Sequence, residues 1–197
     1  MLKRYDKGYF DKWYRGRGRV HGAGEVRRKV ALTVAVAEYF LRRSLRSVLD
    51  IGCGEGAWLD HLRSIRPKIS YIGLDPSDYA VERFGASRNI RQAAFADLPS
   101  LHFNRRFDLI VCSDVLHYVA QNDIRSGIGE IVRVLGGVAF IEVLTREDEI
   151  IGDLQGLTRR PAEWYRRLFN EAGLVQVAPY SWLAPSLHPF AAELELP

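Results

Sequence analysis

The strongest constraint on the fold is the segment SVLDIGCGEGAWLDHLRSI, residues 47–65, which joins an apolar run, a glycine-rich turn and an amphipathic stretch. The apolar run is typical of a buried strand, and apolar residues recur at helical spacing after the turn. Glycines stand at every second position from 52 to 56. Because glycine lacks a Cβ and tolerates positive φ, such a turn lets the backbone approach a ligand closely. The segment predicts the first strand, turn and helix of an α/β sheet with a ligand at that turn.

The rest of the chain continues this alternation of apolar runs and amphipathic stretches. Four further helices are predicted, at 25–43, 77–85, 122–137 and 162–173. Four further strands are predicted, at 70–75, 89–94, 107–114 and 138–143. Gly85 is expected to end the second of these helices, and Gly136 or Gly137 the third. Two closing strands, at 174–183 and 190–196, predict an antiparallel hairpin because the loop between them is short. The alternation favours a mostly parallel sheet with helices on both faces.

Composition favours one soluble domain. The chain has 197 residues, 47% of them hydrophobic, which suits a single full-sized core. It has no run of about 18 apolar residues, so we expect no membrane span. The first residues lack the apolar core of a signal peptide, and Cys53 and Cys112 suit reduced thiols, so we expect a cytoplasmic protein. No histidine and cysteine group has metal-ligand spacing, and no metal is expected.

Charge is uneven along the chain. Residues 1–47 carry 13 lysines and arginines against 4 acidic residues, whereas the remainder carries 15 against 20. Residues 1–24 are basic and aromatic, and they predict an arm or lid ahead of a domain at 25–197. Such an arm can contact a nucleic acid, or it can be a solvated surface segment.

The glycine turn alone leaves two cofactors open. Gly52, Gly54 and Ala57 match the G-x-G-x-x-A pattern of dinucleotide sites, and Asp75 follows Gly52 by 23 residues, near the position expected for a ribose-binding carboxylate. Asp50 favours the second cofactor, because an anion two residues before the first glycine is poorly placed beside a pyrophosphate. It suits a cationic ligand such as S-adenosylmethionine, which carries a sulfonium and an ammonium.

Several segments, in this order, resemble the class I S-adenosylmethionine-dependent methyltransferases. VLDIGCGEG resembles the first motif of that family, D-x-G-x-G-x-G, and YIGLDPS resembles the second, whose acidic residue binds the ribose hydroxyls. FDLIVCSDVLHYV resembles the fourth-strand motif. EIVRVLGGVAFIEV resembles the segment before the fifth strand of that family, but it is two residues shorter. LFNEAGLVQV resembles the entry to the terminal hairpin. The resemblance implies a Rossmann-like sheet of seven strands, mostly parallel, with the last strand antiparallel.

The resemblance also implies roles for single residues. Gly52 and Gly54 would lie against the methionine portion of S-adenosylmethionine, and Asp75 would accept bonds from both ribose hydroxyls. The Ser113 carbonyl would face the cofactor amino group. After transfer the cofactor would leave as S-adenosylhomocysteine. The cofactor-binding residues implied in this way are Asp50, Gly52, Cys53, Gly54, Asp75, Pro76, Phe95, Ala96, Asp97 and Ser113.

The adenine contacts depart from the family pattern. Aligning the sequence on ADLP puts Ala94 where many relatives carry an acidic residue that binds the adenine amino group. Either Asp97 substitutes for that residue, or backbone groups near Phe95 and Ala96 hold the adenine alone.

Three aromatic residues and one histidine are the candidates for acceptor chemistry. His117 follows the fourth strand and is the candidate general base, which is needed only when the acceptor must lose a proton; the alternative is that it packs or caps a helix. Tyr9, Trp13 and Tyr14 of the arm could form a lid over the substrate, or a strap on the surface.

The sequence favours methyl transfer to an oxygen, nitrogen or carbon of a small molecule. Three other functions stay open: an RNA methyltransferase that uses the basic arm, a non-catalytic partner subunit that binds S-adenosylmethionine, and a nicotinamide oxidoreductase. CSDV stands where enzymes that methylate DNA amino groups carry a Pro-Pro pair, which disfavours that chemistry. Both a monomer and a homodimer are compatible with the sequence.

Overall fold

A computed structural model describes residues 5–15, 22–149 and 152–193. In these residues seven strands form one sheet: β1 Ser47–Ile51, β2 Ser70–Asp75, β3 Ile90–Gln92, β4 Phe107–Ser113, β5 Leu135–Glu142, β6 Val175–Ala178 and β7 Ser181–Leu183. The strand order is β3-β2-β1-β4-β5-β7-β6. β1 to β5 are parallel to one another, and β7 is antiparallel to both β5 and β6. The expected seven-stranded, mostly parallel sheet is confirmed.

Helices cover both faces of this sheet. The described residues contain α1 Lys7–Phe10, which continues as a π-helical turn Asp11–Arg15, then α2 Ala23–Leu41, α3 Ala57–Ile65, α4 Asp78–Arg88, α5 Gln121–Val134 and α6 Ala162–Glu171. The apolar residues of α2 and α3 pack on one face, around Phe140 and Val111. Those of α5 and α6 pack on the other, around Ile110 and Ile141. Within the described part of the chain, no helix is both long and apolar enough to cross a membrane.

The predicted end of α4 is wrong. The helix runs through Gly85 to Arg88 and ends at Asn89, whose φ is 52°. Asparagine tolerates this left-handed conformation and ends helices in the same way as glycine. A Cβ at Gly85 would lie 3.1 Å from the carbonyl oxygen of Ile90, so the missing side chain serves the close packing of α4 on β3.

The predicted end of α5 is also wrong. Gly136 and Gly137 lie inside β5, and the helix passes from Val134 into the strand at Leu135 without a loop. A Cβ at Gly137 would stand 2.1 Å from the carbonyl oxygen of Asp108 in β4. The glycine is therefore required by the close approach of two strand backbones, beside a register shift between Phe107 and Leu109.

The closing hairpin lies within the stretch predicted as a single strand. β6 and β7 both fall in residues 174–183, and the chain reverses at Pro179 and Tyr180, whose φ is 55°. The predicted loop is a 3₁₀-helix, Pro185–Phe190, instead. Of the strand predicted at 190–196, residues 190–193 are not in a strand, and 194–197 lie outside the described residues. The reversal contains neither glycine nor asparagine, the residues that usually indicate a tight hairpin turn in a sequence.

Candidate active site

A cavity of ≈ 780 Å³ lies where β1, β2 and β4 end, on the side at which parallel sheets bind ligands. It extends from the glycine turn to the segment that follows β4. Gly54 and Asp97 are outside its lining. The other residues proposed from sequence all line it: Asp50, Gly52, Cys53, Asp75, Pro76, Phe95, Ala96, Ser113, His117, Tyr9, Trp13 and Tyr14.

The glycine turn is fixed to the end of β2. The backbone N–H groups of Gly52 and Cys53 both donate to the carbonyl oxygen of Leu74, at 2.7 and 3.0 Å. Gly52 has a φ of 69°, and a Cβ there would lie 2.3 Å from Cγ2 of Val115. The turn thus needs glycine both for its left-handed backbone and for its contact with the segment after β4.

Asp75 is buried at the end of β2 and is held by two backbone donors. Its Oδ2 accepts the N–H of Gly54 at 2.7 Å, and its Oδ1 accepts the N–H of Ser77 at 2.9 Å. Burial raises the pKa of Asp75, and these two bonds oppose the rise. Each carboxylate oxygen accepts about two hydrogen bonds, so both oxygens keep capacity for donors in the cavity. Gly54 therefore holds the Asp75 carboxylate rather than lining the cavity itself.

Asp50 is buried at the end of β1, and its Oδ2 accepts the hydroxyl of Tyr71 at 2.7 Å. Burial raises the pKa of Asp50 to about 7; the bond from Tyr71 lowers it, and the nearby Asp75 charge raises it. Tyr71 was not found from sequence. It lies on β2 beside Val48, two residues before Asp50, and a tyrosine in a buried strand carries no local sign of this partner.

The 3₁₀-helix Phe95–Ser100 forms another wall. Phe95 packs against α5 at Gly127, where a Cβ would lie 2.2 Å from its ring. Ala94, Phe95 and Ala96 line the cavity. Asp97 instead accepts the backbone N–H of Ala94 at 2.8 Å, which is the role of an ordinary loop carboxylate. The structure does not bring Asp97 to the cavity.

The described part of the arm that covers the glycine turn is residues 5–15; residues 1–4 and 16–21 of the predicted arm lie outside the described residues. Phe10 is only 1% exposed, and its ring centroid lies 4.9 Å from that of Tyr14 and 5.4 Å from that of Tyr79 at the start of α4. A Cβ at Gly54 would come within 3.2 Å of Phe10 and 3.0 Å of the Tyr14 hydroxyl. The Arg15 guanidinium bonds Glu55 of the turn. The aromatic rings of the arm therefore face the cavity, as a lid would require.

His117 is buried in a short 3₁₀-helix, Leu116–Tyr118, that follows β4. Its Nδ1 accepts the backbone N–H of Leu144 at 3.3 Å. Arg160 fixes this helix: it donates to the carbonyl oxygen of Leu116 at 3.3 Å and to that of Val119 at 2.7 Å. In the neutral ring an acceptor at Nδ1 leaves the proton on Nε2. His117 thus lies in the cavity, held in one orientation.

Lys29 lines the cavity and was missed from sequence, as was its ion-pair partner Glu142. Glu142 ends β5, and Lys29 reaches it from the first half of α2. The signal for Glu142 was present, because a carboxylate at the end of a parallel strand is the pattern that marked Asp75. Lys29 had no such signal, since a lysine on an amphipathic helix usually faces solvent.

A profile of the methyltransferase domain matches residues 23–181 of this chain. The chain belongs to the class I S-adenosylmethionine-dependent methyltransferases.

Individual members of the methyltransferase family are similar to this chain to different extents. A malonyl-[acyl-carrier protein] O-methyltransferase from Legionella pneumophila is 28% identical over 103 residues, 50% of this chain and 34% of that protein. The chain spans less than half the length of the curated relatives that it matches. Two solved structures share the fold. An amino pentose methyltransferase from Micromonospora echinaspora, with S-adenosylmethionine bound, has a TM-score of 0.66 at 17% identity over 93% of this chain and 98% of that one. A sugar N-methyltransferase from a Streptoalloteichus species has a TM-score of 0.61 at 23% identity, over 89% and 92%.

S-adenosylmethionine is the cofactor of this family, and the cavity fits it. Asp75 offers free acceptor capacity to a pair of vicinal hydroxyls. Asp50 offers an anion beneath a cationic group. Gly52, at positive φ, lines the cavity without a Cβ. The geometry of the site therefore fits S-adenosylmethionine, independently of the family match.

Proposed function

We propose that this methyltransferase transfers the methyl group of S-adenosylmethionine to a small-molecule acceptor. The observation that supports this proposal best is the lid. Tyr9, Trp13 and Tyr14 line the cavity that Asp75 and Ser113 also line, so the arm covers part of the site. A partly covered cavity of this kind suits a compact acceptor better than a polymer.

The chain's own contribution is to align the reactants and exclude water. When bound, S-adenosylmethionine supplies a methyl group already activated by its sulfonium. Asp75 and the glycine turn would fix one end of the cofactor, and the rings of the arm would keep water from the reacting atoms. Alignment of two reactants can lower a barrier by about 7–11 kcal/mol, which leaves little further chemistry for the protein to supply.

We propose that His117 orients the acceptor. For Nδ1 to take a proton, the ring would first have to lose its bond to the Leu144 N–H. With Nδ1 accepting that bond, the ring proton lies on Nε2, which makes His117 a donor. His117 therefore suits a hydrogen bond to an acceptor oxygen or nitrogen better than the general-base role expected from sequence.

The names of similar proteins support the substrate class. The structural neighbours include sugar and amino pentose methyltransferases, and one curated relative acts on malonyl-[acyl-carrier protein]. One of these is named as an N-methyltransferase of a sugar and another as an O-methyltransferase of a carrier-bound molecule. We propose the same broad class of acceptor for this chain.

The cofactor half of the proposal is tested by calorimetric titration of S-adenosylhomocysteine into wild type, Asp75→Ala and Asp78→Ala. Hydrogen bonds to a charged group are worth about 1.5–3 kcal/mol, so Asp75→Ala should weaken binding by roughly tenfold to a hundredfold. Asp78 is exposed, lies three residues after Asp75, and serves as the matched control. Equal affinity in all three proteins would place the cofactor elsewhere.

The acceptor half is tested with S-adenosylmethionine carrying a deuterated methyl group. Wild type is incubated separately with a low-molecular-mass cell extract, total RNA and a protein extract, and labelled products are identified by mass spectrometry. Label in the small-molecule pool is expected. Label in RNA, with binding that weakens steeply with salt, would support the RNA methyltransferase instead. Cofactor binding without transfer to any pool would support the non-catalytic subunit.

A further inference from the structure

Ser113 and Glu142 form a hydrogen-bonded pair at the carboxyl edge of the sheet. They are register partners at the ends of β4 and β5, so their side chains leave the sheet on the same face. The Ser113 hydroxyl lies 2.6 Å from Oε2 of Glu142. Glu142 is only 7% exposed, whereas Ser113 lines the cavity. The pair therefore connects the cavity to a buried carboxylate.

Lys29 forms an ion pair with Glu142. The Lys29 ammonium lies 2.7 Å from Oε1 of Glu142 and 2.8 Å from Glu25. Burial opposes the charge on Lys29, but its bonds to the two carboxylates raise its pKa overall. Burying an ion pair costs desolvation free energy that the attraction between the charges often fails to recover. Stability alone therefore gives little reason for this pair to lie here.

The donor and acceptor roles in the pair are fixed by chemistry. An ionised carboxylate only accepts hydrogen bonds, so the Ser113 hydroxyl must donate its proton to Glu142. The oxygen of Ser113 then keeps its lone pairs for a donor in the cavity. Ser113 is thus set to receive a proton on one side and release one on the other.

We infer that Ser113 and Glu142 form a relay that removes the proton from the methyl acceptor. This inference rests on the proposed function. The acceptor X–H bond breaks, its proton moves to the Ser113 oxygen, and the Ser113 proton moves to Oε2 of Glu142. The electron pair left on X forms the bond to the methyl carbon, while the carbon–sulfur pair stays on sulfur. The cofactor loses its positive charge as Glu142 loses its negative charge, so the net charge of the site is unchanged.

The relay assigns separate tasks to two parts of the cavity. Ser113 contacts the acceptor and is the catalytic residue, Glu142 acts through Ser113, and His117 orients the acceptor. His117 cannot take the proton without breaking its bond to Leu144. Glu142 can take it through the hydrogen bond that its Oε2 already accepts from Ser113, an oxygen to which Lys29 also donates at 2.9 Å.

The kinetic test uses the small-molecule extract and deuterated donor described above, with Glu142→Gln, Ser113→Ala and Ser113→Thr. General-base assistance contributes about 10²–10⁴-fold, so we expect kcat to fall at least about a hundredfold in Glu142→Gln and Ser113→Ala. The double variant should be no slower than the worse single variant, because both remove one relay. Ser113→Thr keeps the hydroxyl and should recover most of the rate.

The matched control is Glu25→Gln. It makes the same chemical change and removes the other carboxylate partner of Lys29, but it does not touch Ser113. We expect its kcat to stay within about threefold of wild type, since the ion pair that it loses with Lys29 is partly exposed. A fall as large as that of Glu142→Gln would mean that the Lys29 cluster acts structurally, and it would overturn the relay.

Two further readouts do not depend on activity. In the S-adenosylhomocysteine-loaded protein, the ¹³C shift of the Glu142 carboxyl carbon should move in Ser113→Ala and stay unchanged in Ser126→Ala, an exposed serine on α5. The affinity for S-adenosylhomocysteine should stay near that of wild type in Glu142→Gln. A Glu142 carboxyl shift that does not move in Ser113→Ala would overturn the relay. A loss of S-adenosylhomocysteine affinity in Glu142→Gln would also overturn it, because the pair would then bind the ammonium group of the cofactor.

The two hypotheses fail in different ways. Absence of transfer by wild type to any pool refutes the proposed function and the relay with it. Transfer that survives Glu142→Gln undiminished refutes the relay alone.

Discussion

At the scale of single residues, the site buries three carboxylates, and each accepts hydrogen bonds from a different set of donors. Asp75 receives two backbone N–H groups, and Glu142 receives an ammonium and a hydroxyl. Asp50 receives the hydroxyl of Tyr71, and it faces the charge of Asp75. A neutral donor stabilises a buried charge less than an ammonium does. Asp50 is therefore the carboxylate that is most sensitive to pH near neutrality.

The pKa of Asp50 predicts how stability depends on pH in the ligand-free protein. The carboxyl titrates near 3.8 when unfolded and at about 7 when folded. Because the folded state holds the proton to higher pH, the contribution of Asp50 to stability is complete below the unfolded pKa and is lost as pH rises through the folded pKa. Asp50→Asn removes the charge and should gain stability relative to wild type from about pH 4 to about pH 7, with a ceiling of about 4 kcal/mol.

Urea unfolding of wild type and Asp50→Asn across this pH range measures the effect. Asp78→Asn, an exposed carboxylate on α4, is the control, and its difference from wild type should stay flat. A difference between Asp50→Asn and wild type that does not change with pH would show that Asp50 remains ionised throughout.

At the scale of elements, the junction of α5 and β5 is the tightest connection in the fold. The helix ends at Val134, the strand begins at Leu135, and the strand backbone at once approaches Asp108 of β4. The resemblance to the methyltransferase family implies a two-residue pair before the double glycine, and this sequence lacks that pair. Both glycines are consequently drawn into the strand, where they no longer end the helix.

Gly137→Ala tests this junction. The added Cβ would stand 2.1 Å from a backbone oxygen of the neighbouring strand, which cannot move aside as a side chain can. Overpacking of this kind costs about 1–3 kcal/mol, and in a chain of this size Tm should fall by roughly 2–4 °C per kcal/mol. Gly129→Ala on α5 meets no atom of the described residues within 4 Å, and it should be neutral or stabilising by up to about 1 kcal/mol. Equal Tm values for the two variants would contradict the close approach.

At the scale of the whole molecule, the arm and the sheet together line the cavity. The arm contributes aromatic rings, and the sheet contributes the carboxylates and the glycine turn. The contacts between them are the burial of Phe10, the bond of Arg15 to Glu55, and the bond of the Ser77 hydroxyl to the carbonyl oxygen of Tyr5. A short arm with one fully buried anchor is expected to open and close as a unit.

Phe10→Ala should release this lid. Truncating a buried phenylalanine costs about 3–5 kcal/mol in a core, and here it removes the buried anchor of the arm. Amide exchange in residues 5–15 should accelerate, and affinity for S-adenosylhomocysteine should fall, while Tm changes little. Phe190→Ala makes the same substitution at a half-exposed residue outside the cavity lining and should leave both quantities unchanged. Unchanged exchange in Phe10→Ala would mean that the arm is held by its polar contacts instead.

The sequence alone predicted β1 and β2 to the residue and β4 to within one. These strands are buried on both faces, so their apolar composition is set by local burial and is visible without knowledge of their neighbours. It also identified Asp50 and Asp75, because the carboxyl end of a parallel strand is a position that chain order defines. The hairpin was misplaced, since a reversal at Pro179 and Tyr180 depends on pairing with β5 and has no strong local signature.

Only the tertiary structure decided which residues meet. Lys29 and Glu142 are 113 positions apart, and nothing in the pattern of either segment predicts their contact. The same holds for Tyr71 beneath Asp50 and for Phe10 above the glycine turn. The sequence determined which segments form the proposed donor site, because that site is built from one strand, its turn and the next strand. The acceptor site depends on packing between distant elements, and burial and partners of this kind exist only once the chain has folded.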